Sequence, residues 1–348
     1  MANLSTNLIR CMIEDDFSSW CNILQTTPDV VNLLNCLNSI GYPIEKLRQI
    51  RQGIEHGIPC QRLNFFFTTT YNSNQTEQLL FATIQGFTEE QISLFSSRFM
   101  HYKHMEFIRI CIKEGYEIEK IKLLSDPTYT IEKMETIKKM FDYDLSTLSR
   151  LINSKATADQ LEQIHLGLKH GISLNKILLY AKPIYCSGQM KQIRKGLEQG
   201  MRLEQLSLFF SPKYSEHQMK HIRLAIQKEY SEEQISLLRA HSFFDKQLEQ
   251  IVLGIENGLS YEQIKLYAIP AYHHFQMNEI RIALKNGLNN SQIALFSFPE
   301  IPFDMMQKAR TAIESGLNKK ELEEQVLAPI TKKLEKINTL KNILASID

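Results

Sequence analysis

The sequence has few of the residues that interrupt helices, with 14 glycines and 10 prolines in 348 residues. Both counts are below average, which disfavours loop-rich all-β folds and favours helix. The chain also has no excess of charge of one sign, because 40 Lys and Arg oppose 39 Asp and Glu. Domains that hold nucleic acid non-specifically usually carry a strong basic excess. The composition therefore favours a helical globular protein and argues against a bulk polyanion binder.

Cysteine pairs and long hydrophobic runs are also lacking. The six cysteines form no CxxC pair, and none follows Cys186, so we expect reduced thiols rather than a disulfide framework. No stretch approaches the 18 uncharged apolar residues of a membrane span. Residues Met1–Trp20 lack the basic region and apolar core of a signal peptide. We expect a cytoplasmic protein, with delivery into a host cell left open.

Internal repeats dominate the chain. Five segments begin with Gln followed by Leu or Met, and each starts 29 residues after the last. Their first residues are Gln160, Gln189, Gln218, Gln247 and Gln276. The same frame extends forward to Met305 and backward, through a fourth copy that is two residues shorter, to Lys46. The sequence therefore contains about ten copies, in which the residues are numbered here from position 1.

Each copy predicts two short helices. Positions 2, 5 and 9 are apolar, as in Met190, Ile193 and Leu197, and form one stripe of a 3.6-residue helix. Position 12 is usually glycine, which favours the left-handed conformation that ends a helix. Capping boxes such as Ser260–Gln263 begin the second helix, and a proline such as Pro270 blocks its continuation. The tyrosine that follows this proline is expected to fill the gap before the next copy.

Position 8 holds a small residue in almost every copy, such as Gly196, Ala225 and Gly254. Glycine inside a helix costs about 1 kcal/mol relative to alanine, so we expect a compensating close approach of the neighbouring copy. A unit this small cannot bury its own apolar face, so the copies must stack. The sequence predicts an all-α fold, namely an α-solenoid of about ten 29-residue two-helix repeats with helical caps.

The predicted solenoid has four parts. Residues 1–45 form an N-terminal helical cap, and residues 46–159 hold copies one to four. Residues 160–327 hold copies five to ten, and residues 328–348 form a C-terminal capping helix. The fourth copy lacks both the glycine and the proline, which predicts a bend or hinge around 142–159.

Position 6 of the first helix is the most regular charged feature. The candidate macromolecule-binding residues are seven cations at this position and the adjacent Lys195: Arg51, Arg109, Lys138, Arg194, Lys195, Arg223, Arg281 and Arg310. Aligned along successive copies, they would form a ladder that suits phosphates or an acidic protein surface. The alternative is structural, because position 6 lies at the edge of the apolar stripe. Arg194–Glu198 and Arg310–Glu314 also have the i, i+4 spacing of helix-surface ion pairs.

Local charge is less balanced than the total. Residues 160–229 carry eleven Lys and Arg against five Glu. This basic patch on the middle copies is where the sequence would place a polyanion.

Signatures of catalysis and of metal binding are lacking. The sequence has no GxSxG, Walker loop or HExxH motif. His217–His221 and His101–His104 have the spacing of metal ligands on one helix face, without a third ligand. We therefore expect no catalytic residue, no metal and no cofactor, and an enzymatic site would have to form at the irregular fourth copy.

The consensus QM-x-x-IR-x-GLE-x-GLS-x-EQI-x-LYA-x-P-x-Y is best kept at Gln189–Tyr214 and Gln247–Tyr272. It resembles an uncharacterised short helical-hairpin repeat found in proteins of low-GC bacteria and their mobile elements. This resemblance implies a bacterial, phage or mobile-element setting, and a role as an inhibitor or adaptor. A looser likeness is to mitochondrial transcription termination factor repeats, which share the G-L-S turn and the proline after a short helix. That likeness would imply binding of double-stranded nucleic acid on a basic concave face, although this chain lacks the strong basic excess.

These observations predict a non-enzymatic helical scaffold that binds a macromolecule, most readily a protein, along its curved surface. The alternative is a nucleic-acid-binding solenoid that uses the position 6 ladder and the 160–229 patch. Neither hypothesis requires a membrane or a small-molecule cofactor.

Overall fold

The computed structural model describes residues 71–153, 155–240 and 242–328, together with residues 49, 52–53 and 56–58. Within this part of the chain there are 18 α-helices and no strand, so the prediction of an all-α fold is confirmed for the described residues. The predicted N-terminal cap, Arg51 and nearly all of the predicted C-terminal capping helix lie outside them.

Long and short helices alternate along the chain. The long helices are Ser73–Ile84, Tyr102–Lys113, Ile131–Lys139, Ala158–Lys169, Ser187–Glu198, Glu216–Gln227, Asp245–Glu256, His274–Lys285 and Phe303–Glu314. The short helices are Glu89–Ser93, Ile118–Lys122, Leu145–Leu151, Leu174–Tyr180, Leu203–Ser207, Glu232–Arg239, Tyr261–Lys265, Asn290–Ile293 and Lys319–Leu322. One turn of π-helix, Glu323–Leu327, follows the last short helix.

The chain divides between Lys169 and His170 into two compact units. Unit 1 contains the long helices up to Ala158–Lys169, and unit 2 contains those from Ser187–Glu198 onward. Within each unit, every long helix packs against the next long helix. Several short helices also contact the long helix that precedes them.

The helices form where the repeat pattern predicts them. Met190, Ile193 and Leu197, at positions 2, 5 and 9, are all buried. Thr88 and Gln91 form the predicted capping box, in which the Thr88 hydroxyl accepts from Gln91 N–H and Gln91 Oε1 accepts from Thr88 N–H. The glycines at position 12 all have positive φ angles between 73° and 97°, a left-handed conformation that glycine adopts readily because it has no Cβ. The short helix ends earlier than the proline requires, at Lys265 in the copy that contains Pro270.

Position 1 has a structural role that the sequence pattern did not reveal. In most described copies it is a buried glutamine at the third residue of the long helix, such as Gln247. Gln247 Oε1 accepts a hydrogen bond from Phe244 N–H at 2.7 Å. Its Nε2 donates to the carbonyl oxygens of Pro270 at 3.1 Å and Tyr272 at 2.6 Å. The same side chain therefore caps its own helix and holds the turn that leads into the next copy.

The small residue at position 8 faces the short helix of its own copy. A Cβ added at Gly254 would lie 1.7 Å from Tyr267 Oη, and one added at Gly196 would lie 2.8 Å from Leu206 Cδ2. Tyr267 and Leu206 belong to the same copies as these two glycines. The prediction that the neighbouring copy requires a small residue here is therefore wrong, because the close approach is made within one copy.

The fourth copy departs from the others in its first helix. Ile131–Lys139 has 9 residues, whereas the regular long helices have 12. Lys133 takes the place of the position 1 glutamine, and its Nζ donates to the carbonyl oxygen of Asn153 at 3.1 Å. The first helix of this copy is thus three residues shorter than the regular long helices, while a link to the following turn is kept.

Candidate macromolecule-binding surfaces

The cations at position 6 lie between neighbouring long helices and bond across the gap. Arg109 Nε donates to Gln78 Oε1 at 3.0 Å, and Arg223 Nε donates to Gln192 Oε1 at 3.2 Å. Arg281 Nε makes the same contact with Gln250 at 3.1 Å. Each acceptor lies 31 residues earlier, at position 4 of the preceding copy. These three arginines therefore join neighbouring copies, in the way the structural alternative predicts.

Acidic partners hold the remaining position 6 side chains. Arg310 contacts Glu279 at 2.9 Å and Glu314 at 2.8 Å, and these bonds raise its pKa although burial acts to lower it. Arg194 pairs with Glu198 in the same helix. Lys138 Nζ lies 2.6 Å from Glu114 Oε2, and this contact likewise raises the pKa of Lys138 against the effect of burial.

Burial limits what these arginines can offer to a ligand. Arg109, Arg194, Arg223 and Arg310 are all buried, and desolvation lowers the pKa of Arg109 and of Arg223. A phosphate would have to displace their existing partners and leave buried acceptors without donors, which costs about 1–3 kcal/mol for each group. A role of these arginines in binding stays a prediction, while their bonds account for their presence structurally.

Lys195 differs from the position 6 cations because it lies at position 7, on the side of the helix that reaches solvent. Lys191 precedes it by one turn, and Lys220 lies on the next long helix. None of these three lysines makes an ion pair or a hydrogen bond to an acid among the described residues. Burial is the largest effect that lowers the pKa of Lys195, and the positive charges of Arg223, Lys191 and Arg194 lower it further. The cluster of Lys191, Lys195 and Lys220 is called here the lysine cluster.

A second surface follows the N-terminal ends of the long helices in unit 2. Phe244, Phe275 and Phe303 lie in three successive copies and are 79%, 48% and 45% exposed. The rings of Phe275 and Phe303 are 5.0 Å apart, and those of His274 and Phe275 are 4.2 Å apart. Phe244, His273, His274, Phe275 and Phe303 are called here the aromatic edge.

Phe244 stands at the residue that caps the helix Asp245–Glu256. Equivalent positions hold good capping residues elsewhere, including Asn72, Thr130 and Ser215. Loss of such a cap typically costs about 1 kcal/mol. The chain therefore gives up helix stability here and exposes a large apolar ring.

A groove of about 810 Å³ lies beside the aromatic edge, lined by Phe244, Lys246, Tyr272, His273 and His274 among others. On its rim, His217 Nδ1 lies 3.1 Å from Asp245 Oδ2, and Ser215 Oγ donates to Asp245 Oδ1 at 2.8 Å. Burial, followed by the charges of His273 and Lys246, lowers the pKa of His274. The groove thus offers aromatic faces together with hydrogen-bonding groups.

A smaller groove of about 410 Å³ occupies the equivalent place in the fourth copy. It is lined by Thr128, Thr130, Glu132, Lys133 and Thr157 among others. Asp126 accepts bonds from the Thr128 hydroxyl and N–H, and Lys133 lies 3.8 Å from the centre of the Tyr129 ring. These contacts are those of a turn and a helix start.

The described residues include no group of three or more His, Cys, Asp or Glu side chains that could hold a metal ion. The rings of His101 and His104 lie 6.0 Å apart, and His217 faces Asp245 rather than His221. None of the described helices combines the length and the apolar character needed to cross a membrane.

Sequence reasoning missed the aromatic edge, although the sequence carries a signal for it. The run His273-His274-Phe275 and the Phe at 244 and 303 interrupt the polar residues that other copies place before position 1. Comparison with protein-family models, with curated proteins and with solved structures finds no match. The two family resemblances stay predictions from the sequence.

Proposed function

We propose that this protein is a non-enzymatic α-solenoid scaffold that binds a protein partner. The helix pairs repeat at a 29-residue period, and each long helix packs on the next within its unit. Stacked repeats of this kind present extended surfaces rather than a single enclosed site. The solenoid arrangement of all ten copies is part of this proposal.

The observation that carries the proposal is the aromatic edge. Single exposed apolar residues are ordinary on protein surfaces, but three phenylalanines in successive copies beside a groove form a patch. Aromatic residues are enriched in the centres of protein interfaces, where they supply most of the binding energy. Phe244 stands at a capping position at which Ser or Thr would stabilise the helix, and its exposed ring is consistent with a role in partner binding.

Affinity capture with a triple variant tests the proposal. Phe244→Ser, Phe275→Ser and Phe303→Ser remove the rings, and serine at position 244 also supplies a helix cap. We expect a defined set of proteins to be captured from a bacterial lysate by the wild type and lost with the variant. The thermal midpoint of the variant should be unchanged or higher, because the new cap contributes about 1 kcal/mol.

Phe99→Ser is the matched control, since Phe99 is 74% exposed and belongs to unit 1, whereas the aromatic edge belongs to unit 2. It should leave capture unchanged. Retention of the same proteins by the triple variant, or an empty capture with the wild type, would contradict the proposal.

A nucleic-acid-binding function is the second candidate, and the lysine cluster favours it. These lysines make no ion pair or hydrogen bond with an acidic side chain among the described residues, which leaves their ammonium groups available to phosphates. The position 6 ladder adds little support, because its described members already bond to neighbouring copies. If the protein binds nucleic acid, its affinity for nucleic acid should fall steeply as the salt concentration rises.

A further inference from the structure

Two histidine rings lie within the aromatic edge. The ring centres of His273 and His274 are 4.1 Å apart, and the ring of Phe275 lies 5.3 Å from the first and 4.2 Å from the second. Phe275 in turn lies 5.0 Å from Phe303. Histidine is the side chain that ordinarily changes its charge between about pH 5 and pH 8. A surface built of aromatic rings therefore contains two groups that become cationic when they bind a proton.

His274 occupies a place at which a positive charge is unfavourable. Burial lowers the pKa of His274, and the charges of His273 and of Lys246 lower it further. Lys246 acts from the preceding long helix, Asp245–Glu256. Glu249 on that same helix acts in the opposite direction and is outweighed. The neutral ring is therefore the form that the surroundings of His274 favour.

The groove beside the aromatic edge would reverse its charge on protonation. The charged and titratable residues of its lining are His217, Asp245, Lys246, Glu249, His273 and His274. With neutral imidazoles, one ammonium group accompanies two carboxylates, whereas protonation of all three rings gives four cations. His217 has Asp245 as a partner at 3.1 Å, but neither His273 nor His274 forms an ion pair with a carboxylate of the described residues. New charge on these two rings would thus face the binding surface directly.

We propose that protonation of His274 regulates the aromatic edge, which binds an apolar surface of its protein partner at neutral pH and releases it at acidic pH. Apolar groups packed on these rings would remove water from His274, and desolvation of this kind lowers the pKa of a histidine further. Because the free ring then binds a proton more readily than the covered ring, affinity falls as the pH drops through the pKa of the free ring. The inference rests on the proposed function and adds its regulation.

The first measurement requires no partner. NMR follows the histidine ring signals of the full chain between about pH 5 and pH 8, and His274→Phe identifies the signal of His274. Lys246→Gln removes the cation of the preceding helix and should raise the pKa of His274. Lys285→Gln is the control, because it makes the same change at an exposed lysine at the far end of the helix His274–Lys285. It should leave the pKa of His274 unchanged.

The second measurement uses the proteins that the wild type captures and the triple phenylalanine variant loses. They are bound at about pH 7.5 and washed at about pH 7.5 or pH 5.5, and the ratio of the amounts retained is the readout. We expect the wild type to retain about threefold less, or lower still, at the acidic pH. His274→Phe keeps a ring that binds no proton, so its ratio should be near one whatever its affinity. His170→Phe, at an exposed histidine outside the groove lining, should keep the wild-type ratio.

The inference is wrong if the wild type retains its partners equally at both pH values, or better at the acidic pH, as an acidic partner surface would require. Release from His274→Phe in the same ratio as from the wild type would also overturn it, as would a pKa of His274 that does not respond to Lys246→Gln. In each of these cases, capture at neutral pH that depends on the three phenylalanines would leave the proposed function standing. Absence of that capture would remove both.

Discussion

The glutamine at position 1 shows how much one side chain does in each copy. Gln189 and Gln276 repeat the geometry of Gln247, with Oε1 on the capping N–H and Nε2 on two carbonyls of the next turn. A neutral amide has both the acceptor and the two donor hydrogens that this place requires. Glutamate could accept from the capping N–H but could not donate to the carbonyls. The repeated Gln in the sequence thus reflects a full set of hydrogen bonds.

Glu229 is the residue at which the repeat departs most clearly from its own rule. It occupies position 12 with φ 56°, where eight other copies have glycine. A left-handed conformation costs a residue with a Cβ roughly 1–2 kcal/mol, offset in part by the greater unfolded-state entropy of glycine. Glu229→Gly should therefore raise the free energy of unfolding by about 0.5–1 kcal/mol, measured as a higher thermal midpoint.

Glu229→Ala is the control for this substitution, because it removes the carboxylate and keeps the Cβ. Glu229→Ala should therefore raise the free energy of unfolding much less than Glu229→Gly does. An equal gain from alanine would show that the charge of Glu229, rather than its backbone conformation, lowers stability.

At the scale of the helix, the spacing of residues was enough to predict which faces are buried and where capping boxes begin the short helices, although the short helix of the copy with Pro270 ends earlier, at Lys265. The apolar stripe, the capping boxes and the glycine turns depend on neighbours within about four residues, so they can be read from the sequence. The bonding between copies depends on contacts 20 to 31 residues apart, as for Arg223 with Gln192. The periodicity placed Arg223 at the edge of the stripe but could not identify its acceptor.

The same limit applies to the candidate surfaces. Lys195 was among the predicted binding residues, whereas the aromatic edge was not predicted, because its residues come together only when three copies pack side by side. The local charge count indicated the basic stretch. Only the structure separates paired arginines such as Arg223 from the lysine cluster.

The side chain at position 8 and the aromatic side chain just after the short helix are matched in size. Gly254 lies beneath Tyr267, whose hydroxyl donates to the carbonyl oxygen of Gln250 at 3.2 Å. In the next copy the same two positions hold Ala283 and Phe296, both fully buried. Gly254→Ala should therefore lower the free energy of unfolding by about 1–3 kcal/mol, since overpacking forces side chains and backbone to move.

A double substitution checks this account. Gly254→Ala combined with Tyr267→Phe reproduces the Ala283–Phe296 arrangement and removes the atom that the new Cβ would meet. The double variant should lose less stability than the sum of the single variants, by about 1 kcal/mol or more in a double-mutant cycle. Additive losses in chemical denaturation would contradict the size match.

At the scale of the whole molecule, the net charge of +1 is a sum over unlike surfaces. Position 3 carries glutamates in the described long helices of unit 1 and lysines in the first two long helices of unit 2. The near balance of the total therefore says little about what each unit can bind. Exposed cations that make no ion pair among the described residues occur in both units, such as Lys103 in unit 1 and Lys220 in unit 2.

The contacts of the long helices also predict how the molecule loses its structure. Each long helix packs on the next within its unit, so a solenoid of these copies should have stability that is a sum of local and nearest-neighbour terms. Gln247→Ala removes bonds to Phe244, Pro270 and Tyr272 and should cost about 2–4 kcal/mol, since buried polar groups lose their partners. Because of the nearest-neighbour packing, this loss should stay local.

Hydrogen exchange of the full chain measures how far this loss of stability extends along the chain. Amide exchange in Gln247→Ala should become faster in the helices from Glu232–Arg239 to His274–Lys285 and stay unchanged in the helices of unit 1. Gln263→Ala, which removes an exposed capping glutamine from the short helix of the same copy, should change exchange only near that helix. Faster exchange throughout both units would instead show that the chain unfolds as one cooperative body, and the nearest-neighbour description would then be wrong.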